Sequence, residues 1–168
     1  MSSRVGLSVA LVVAVICVAP AAAYAGEGDY ISLFAGAWSG SGTVLNDEKP
    51  WQVNCQAVGQ PGMNHLTIKG SCSVFLVKVN IAAEVTYDPQ SGRYDGTYTG
   101  GDMAAHISGK RSGDTVDFTM TWVKPINGNV HARLTIVNAG TGDLRIVIDN
   151  LKPNDLEERA SDIRLSQK

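Results

Sequence analysis

The segment 115-TVDFTMTWVKPINGNVHARLTI-136 decides the fold that we expect for this chain. Its first run alternates with period two, so Phe118, Met120 and Trp122 share one face while aspartate and threonine occupy the other. Residues 132–136 alternate in the same way, and the stretch from Pro125 to Gly128 has turn chemistry. Two half-buried strands joined by such a turn indicate an antiparallel hairpin.

The same pattern continues in both directions along the chain. Alternating runs cover residues 93–99 and 144–148, and turn residues cluster at 88–92, 111–114 and 138–142. We count eight to ten strands and find no pattern for a long helix, which predicts an all-β protein. Short spacings favour an antiparallel up-and-down meander, and closing the meander into an eight- to ten-stranded barrel removes its edges. A two-sheet sandwich is the alternative fold.

Strand length separates a water-soluble barrel from one in the outer membrane. The alternating runs are about seven residues long, whereas a spanning strand needs roughly nine to eleven. The aromatic residues do not cluster into the two girdles that flank the apolar band of a membrane barrel. The last residues, Leu165-Ser166-Gln167-Lys168, do not form an apolar end to a strand. We therefore expect a soluble barrel with no stable membrane insertion.

The first 25 residues have the pattern of a secretory signal peptide. Arg4 precedes an apolar run over 5–18, Pro20 interrupts it, and small residues precede Gly26. Cleavage after Ala25, or after Ala23 as a second option, predicts a single domain over 26–168 that is periplasmic or secreted. The alternative, an uncleaved anchor, needs a longer apolar run than this one.

Export leads to a prediction for Cys55 and Cys72, because exported cysteines are commonly disulfide-bonded. If Cys55 faces Cys72 in a hairpin, Val53 faces Val74 and Trp51 faces Leu76 on the same side. The stretch 59-GQPGMN-64 supplies the turn. A redox-active or metal-binding pair is the alternative, but there is no Cys-x-x-Cys motif and no neighbouring histidine cluster.

Charge and motif content narrow the function classes. The 168 residues carry a formal net charge of −2, with scattered Lys and Arg and no basic patch for nucleic acid. The histidines His65, His106 and His131 lack metal-ligand spacing to other ligand residues. There is no nucleophile elbow and no phosphate-binding glycine loop. We therefore expect neither an enzyme nor a metal site.

The start of the predicted domain, Gly36-Ala37-Trp38, resembles the Gly-x-Trp signature of the calycins, which include lipocalins and avidins. The resemblance implies that Trp38 closes one end of a barrel and that Arg164, from the last strand, packs across it. The longer pattern resembles small exported proteins of proteobacteria of uncharacterised function. The opening is also similar to that of haem-binding nitrobindin-like barrels, but no histidine follows His131 to match their C-terminal motif, so no cofactor is expected.

Two function hypotheses follow. In the first, the barrel holds a small apolar ligand, and small residues such as Gly96 and Ala105 leave room for it. The aromatic and soft residues of the apolar face would line the pocket, with Trp51 at its mouth: Trp51, Tyr94, Tyr98, Phe118, Met120 and Trp122. In the second, a solid barrel is a protein-interaction module or envelope component. The chain is loosely similar to periplasmic metalloprotease inhibitors, which implies an exposed arm over Gly26–Tyr30.

Overall fold

The computed structural model describes residues 26–46, 49–126, 128–152 and 156–168. The predicted signal peptide, residues 1–25, lies outside the described residues. The described parts form one short helix and ten strands: α1 (Glu27–Ser32), β1 (Gly36–Asn46), β2 (Lys49–Pro61), β3 (His65–Val74), β4 (Val77–Asp88), β5 (Arg93–Gly100), β6 (Met103–Ser112), β7 (Thr115–Ile126), β8 (Asn129–Asn138), β9 (Asp143–Leu151) and β10 (Glu157–Gln167).

Each strand pairs antiparallel with the next one along the chain, and β10 returns to pair with β1. The closing ladder runs from Trp38 opposite Gln167 to Val44 opposite Ser161. The backbone groups of the first and last strands therefore pair with each other, and no open sheet edge remains. The predicted all-β meander closing into a barrel is confirmed, with ten strands, and the sandwich alternative is wrong.

The apolar phase of each strand faces the barrel interior. In β7, Val116, Phe118, Met120 and Trp122 are buried, while the intervening residues are largely exposed. The strands have eight to thirteen residues, longer than the runs of about seven residues counted in the sequence, so the expectation from strand length is wrong. The inward apolar and outward polar alternation is instead what indicates a barrel that folds in water. Among the described residues, no helix is long and apolar enough to cross a membrane.

The predicted disulfide is present. Cys55 lies directly opposite Cys72 in the β2–β3 ladder, and their Cα atoms are 4.1 Å apart. The cross-link lies on the inner wall, where Cys55 is 2% exposed. Trp51 does not face Leu76 as expected, because Phe75 and Leu76 form a two-residue turn and the Trp51 ring lies edge-on to Phe75 instead.

The two ends of the barrel differ. The end where β1 begins is closed by α1, which we call the closed end; Tyr30 and Ile31 of the helix are buried against the strands. The opposite end, which we call the open end, carries the turn after β3 and the ends of β5 and β7. Within the described residues the helix therefore blocks one end of the barrel.

Candidate functional site

The closed end is plugged by aromatic side chains of the N-terminal segment. Tyr30 and Phe34 are 4% and 3% exposed, and their rings meet edge-on with centroids 5.4 Å apart. Trp38 is buried beneath them and donates its indole N–H to the Phe34 carbonyl oxygen at 3.0 Å. These contacts join the helix, its C-terminal turn and the first strand into one plug.

A charged pair fixes this plug to the barrel wall. The Arg111 guanidinium donates to the Glu27 carboxylate at 2.9 Å and to the Gly113 carbonyl at 2.7 Å. It also lies 4.7 Å from the centre of the Tyr30 ring, a cation–π distance. The Tyr94 hydroxyl donates to the same Glu27 carboxylate. The first turn of α1 is thus bonded to β5 through the Tyr94 hydroxyl and to β6 through the Arg111 guanidinium.

Two sequence-based expectations for this end are corrected. Arg164 does not pack across Trp38, because Leu165 is the inward residue of β10 and Arg164 is exposed opposite Ser41 on the outer face. The cation at the closed end is Arg111. The stretch Gly26–Tyr30 is not an extended exposed arm, since most of it is helical and Tyr30 is buried.

The inner wall between the middle of the barrel and the closed end carries aliphatic side chains that remain partly exposed. Ile136, Ile146 and Ile163 are neighbours across the β8–β9–β10 ladders, all on the inner wall. Each belongs to a strand that is paired on both sides, so solvent reaches these inward side chains through the barrel interior. A close-packed interior would bury them fully.

The predicted ligand-binding residues all face inward but at different depths. Tyr94 and Phe118 meet edge-on near the closed end, with their ring centroids 6.3 Å apart. The Tyr94 hydroxyl already donates a hydrogen bond to the Glu27 carboxylate. Met120 is 0% exposed. Tyr98 and Trp122 meet edge-on nearer the open end, 6.2 Å apart.

Trp51 lies at the mouth of the barrel, 39% exposed. Beside it, Phe75 and Leu76 are 92% and 100% exposed at the tip of the β3–β4 turn. Phe75 has a φ of 52°, which is uncommon for a bulky residue. The mouth therefore presents apolar side chains to solvent, consistent with the passage of an apolar molecule.

The outer face of the barrel carries a shallow polar groove. A groove of about 330 Å³ over β5–β7 is lined by Asp95, His106, Ser108, Thr119 and Thr121, together with Gly96 and Ile107. Within the part of the chain that the structure describes, no three His, Cys, Asp or Glu side chains gather as metal ligands. The three histidines are exposed and lie apart on β3, β6 and β8.

Comparison with known proteins supports the architecture. No protein-family model matches the sequence, and no curated protein is significantly similar to it. The crystal structure of Rv2717c from M. tuberculosis superimposes with a TM-score of 0.66 and 11% identity, covering 86% of this chain and 98% of that chain. A redesigned β-barrel gives a TM-score of 0.43 and 15% identity over 83% and 95% of the two chains. The first likeness shows a shared barrel fold alone, and calycin membership stays a prediction.

Sequence reasoning missed several residues of the interior. Glu27 and Arg111 carry no motif, and Arg111 was assigned to a turn. Ser161 is buried on the inner wall of β10, although a lone serine in an irregular strand gives no pattern. Alternation places the isoleucines of β8 and β9 on one face of their strands, but it does not show that they remain partly exposed inside the barrel.

The buried tyrosines predict a loss of stability in alkali. Burial raises the pKa of Tyr30, Tyr94 and Tyr98 above the ordinary value near 10; for Tyr94 the hydrogen bond to Glu27 adds to it. Their contribution is fully present below about pH 10 and is lost as the pH rises further, because only the unfolded chain then releases the phenolic protons. Urea unfolding at rising pH should show this fall, and Tyr94→Phe should reduce its slope. Tyrosinate absorbance near pH 10 in the folded protein that disappears in Tyr30→Phe, Tyr94→Phe or Tyr98→Phe would contradict the prediction.

Proposed function

We propose that this protein is an exported carrier that holds a small apolar molecule inside the barrel, between the plug at the closed end and the open mouth. The observation that carries the proposal is the row Ile136, Ile146 and Ile163, which faces inward yet remains partly exposed. Burying such a surface against an apolar ligand contributes about 25 cal/mol per Å² removed from water.

The rest of the interior supports the same function. One end is blocked by α1, so a ligand has a floor, and the other end carries the exposed apolar side chains Trp51, Phe75 and Leu76. Aromatic rings with few polar groups are the usual lining of small-molecule pockets. The Cys55–Cys72 disulfide fits an oxidising compartment, in line with the predicted export.

Binding is tested first on the mature protein, as its host exports and processes it. Protein purified gently from the periplasm or medium is compared by native and denaturing mass spectrometry. Excess mass that vanishes on denaturation is the expected result. The emptied protein is then titrated with N-phenylnaphthylamine, a neutral apolar dye that fluoresces when it leaves water.

A lumen-filling variant assigns the signal to the interior. Ile146→Trp should weaken dye binding at least about tenfold, the equivalent of 1.4 kcal/mol, because the indole occupies the space beside Ile136 and Ile163. The matched control is Thr97→Trp, which adds the same indole to an exposed position of β5. No excess mass and no dye binding, or equal loss in both variants, would overturn the proposal.

A further inference from the structure

Among the residues that the structure describes, two buried side-chain polar atoms of the barrel wall have no hydrogen-bond partner. They are the indole nitrogen of Trp122 and the hydroxyl oxygen of Ser161, and the two residues are only 6% and 7% exposed. Buried polar groups in native proteins are nearly always paired, and an unpaired one requires an explanation such as an absent ligand or ion. Trp122 lies in β7 and Ser161 in β10, on different rows of the sheet: the row of Ser161 runs through Ile148 and Leu134 to Phe118, four residues before Trp122.

Each of these residues adjoins an irregularity of the sheet. The β7–β8 register shifts between Thr121 and Ile126, and the β10–β9 register shifts between Arg159 and Ser161. Bulges of this kind redirect side chains and are over-represented at functional sites. The two unpaired atoms thus coincide with the two register shifts of the described ladders.

The shift in β10 decides which side chain points inward. Simple alternation from Leu165 through Ile163 and Ser161 would next place Arg159 inside the barrel. The shift instead puts Arg159 opposite Asp149 on the outer face, where its guanidinium pairs with the Asp149 carboxylate. The inner wall at this level keeps a neutral hydroxyl and excludes a cation.

The side chains next to the two atoms are mostly apolar, although the buried Asn150 lies on the same inner wall. Trp122 packs against the Tyr98 ring, and Ser161 lies between Val44 and Ile148 across the ladders. Glu158 continues the inward row of β10 nearer the mouth, but Lys152 neutralises it with an N–O distance of 3.1 Å. A carboxylate ligand would find no free cation among these neighbours, whereas a neutral acceptor finds an N–H and an O–H.

We infer that the ligand of this site is a neutral apolar molecule carrying a hydrogen-bond acceptor such as a ketone, ester or ether oxygen. Trp122 Nε1 and Ser161 Oγ are two separate donors on the inner wall, either of which can donate to such an acceptor, and the isoleucine row packs against the hydrocarbon part. Both atoms are occluded, so neighbouring side chains move aside on binding; for Trp122 the nearest such group is the partly exposed Tyr98 ring, which meets it edge-on. The inference rests on the proposed function, because it describes the same interior site.

Three probes of one shape test the ligand class. Methyl naphthyl ketone carries the acceptor, ethylnaphthalene lacks it, and naphthoate carries a negative charge. The affinity of each probe is measured by its displacement of N-phenylnaphthylamine from the mature protein. The expected order of affinity is ketone first, ethylnaphthalene second and naphthoate last.

Two substitutions test the donors. Trp122→Phe and Ser161→Ala each remove one donor while keeping an apolar side chain, and each should lower the affinity for the ketone relative to that for ethylnaphthalene roughly three- to tenfold. Ile148→Val is the matched control, since it alters the apolar wall beside Ser161 and should affect both probes equally. Ser161→Ala keeps the test available if Trp122→Phe folds poorly.

The outcomes separate the two proposals. If ethylnaphthalene and the ketone both bind but neither substitution changes their ratio, the donor assignment is wrong and the carrier function stands. Tighter binding of naphthoate than of the ketone also overturns the inferred ligand class. If no probe displaces the dye because the dye itself does not bind, the carrier function fails.

Discussion

Arg111→Met is expected to lower the free energy of unfolding by about 3 kcal/mol, at the lower end of the range for breaking a buried ion pair. Arg111 has a side chain only 12% exposed, and its partner Glu27 is 24% exposed. Methionine fills much of the same volume but leaves the carboxylate without its counter-charge. It also removes the bond to the Gly113 carbonyl and the cation–π contact with Tyr30. Urea unfolding at neutral pH measures the loss.

Arg164→Met is the matched control for this prediction. Arg164 is exposed on the outer face of β10, and a surface substitution of this kind changes stability by no more than about 0.5 kcal/mol. A larger loss for Arg164→Met than for Arg111→Met would contradict the structure and restore the calycin-type arrangement, in which the last strand supplies the closing cation.

The double variant Glu27→Gln, Arg111→Met distinguishes the loss of the ion-pair attraction from the cost of leaving the Glu27 carboxylate without a counter-charge. Removing both ionised groups should recover part of the loss, because the unpaired buried carboxylate is the larger penalty. The plug also gives a local readout, since the Trp38 indole N–H is bonded to the Phe34 carbonyl. Hydrogen exchange of that indole should speed up in Arg111→Met and slow again in the double variant.

The strands and the disulfide were accessible to sequence reasoning because both depend on local rules. Period-two alternation places Phe118 and Trp122 on one face whatever the remaining chain does. Antiparallel pairing keeps a constant sum of residue numbers, so the facing of Cys55 and Cys72 follows once a hairpin is accepted. The same alternation predicts that Arg164 points outward, because it lies between the inward residues Ile163 and Leu165.

The site was less accessible because it depends on features that alternation does not carry. A register shift changes which residue points inward, so the outward position of Arg159 has no signature in the pattern. Alternation from Leu165 reaches Ser161, but it does not show that the serine hydroxyl lacks a partner. Helix α1 has six residues, too few for a helical period to appear. Whether the interior is open follows from strand number and stagger, which no single strand reveals.

Gly96→Ala is expected to destabilise the barrel by about 3 kcal/mol or more, the upper part of the range for overpacking. The sequence suggested that Gly96 leaves room for a ligand, but its surroundings give a different reason. A Cβ atom there would lie 2.0 Å from the Glu84 carbonyl oxygen and 2.9 Å from the Val85 Cα atom. Both belong to the backbone of the paired strand β4, so no side-chain rotation relieves the clash, and the ladder between β4 and β5 must open.

Gly92→Ala separates this clash from the general cost of replacing a glycine. Gly92 has a φ of 64° in the β4–β5 turn and nothing within 4 Å of its Cβ position, so alanine there costs about 1–2 kcal/mol of backbone strain alone. Urea unfolding should therefore rank Gly96→Ala well below Gly92→Ala in stability. If Gly96→Ala keeps wild-type stability and weakens only dye binding, the glycine serves the ligand. If its stability loss is the larger, the glycine serves the close approach of two strands, and the space for a ligand must come from the incompletely filled wall around Ile146.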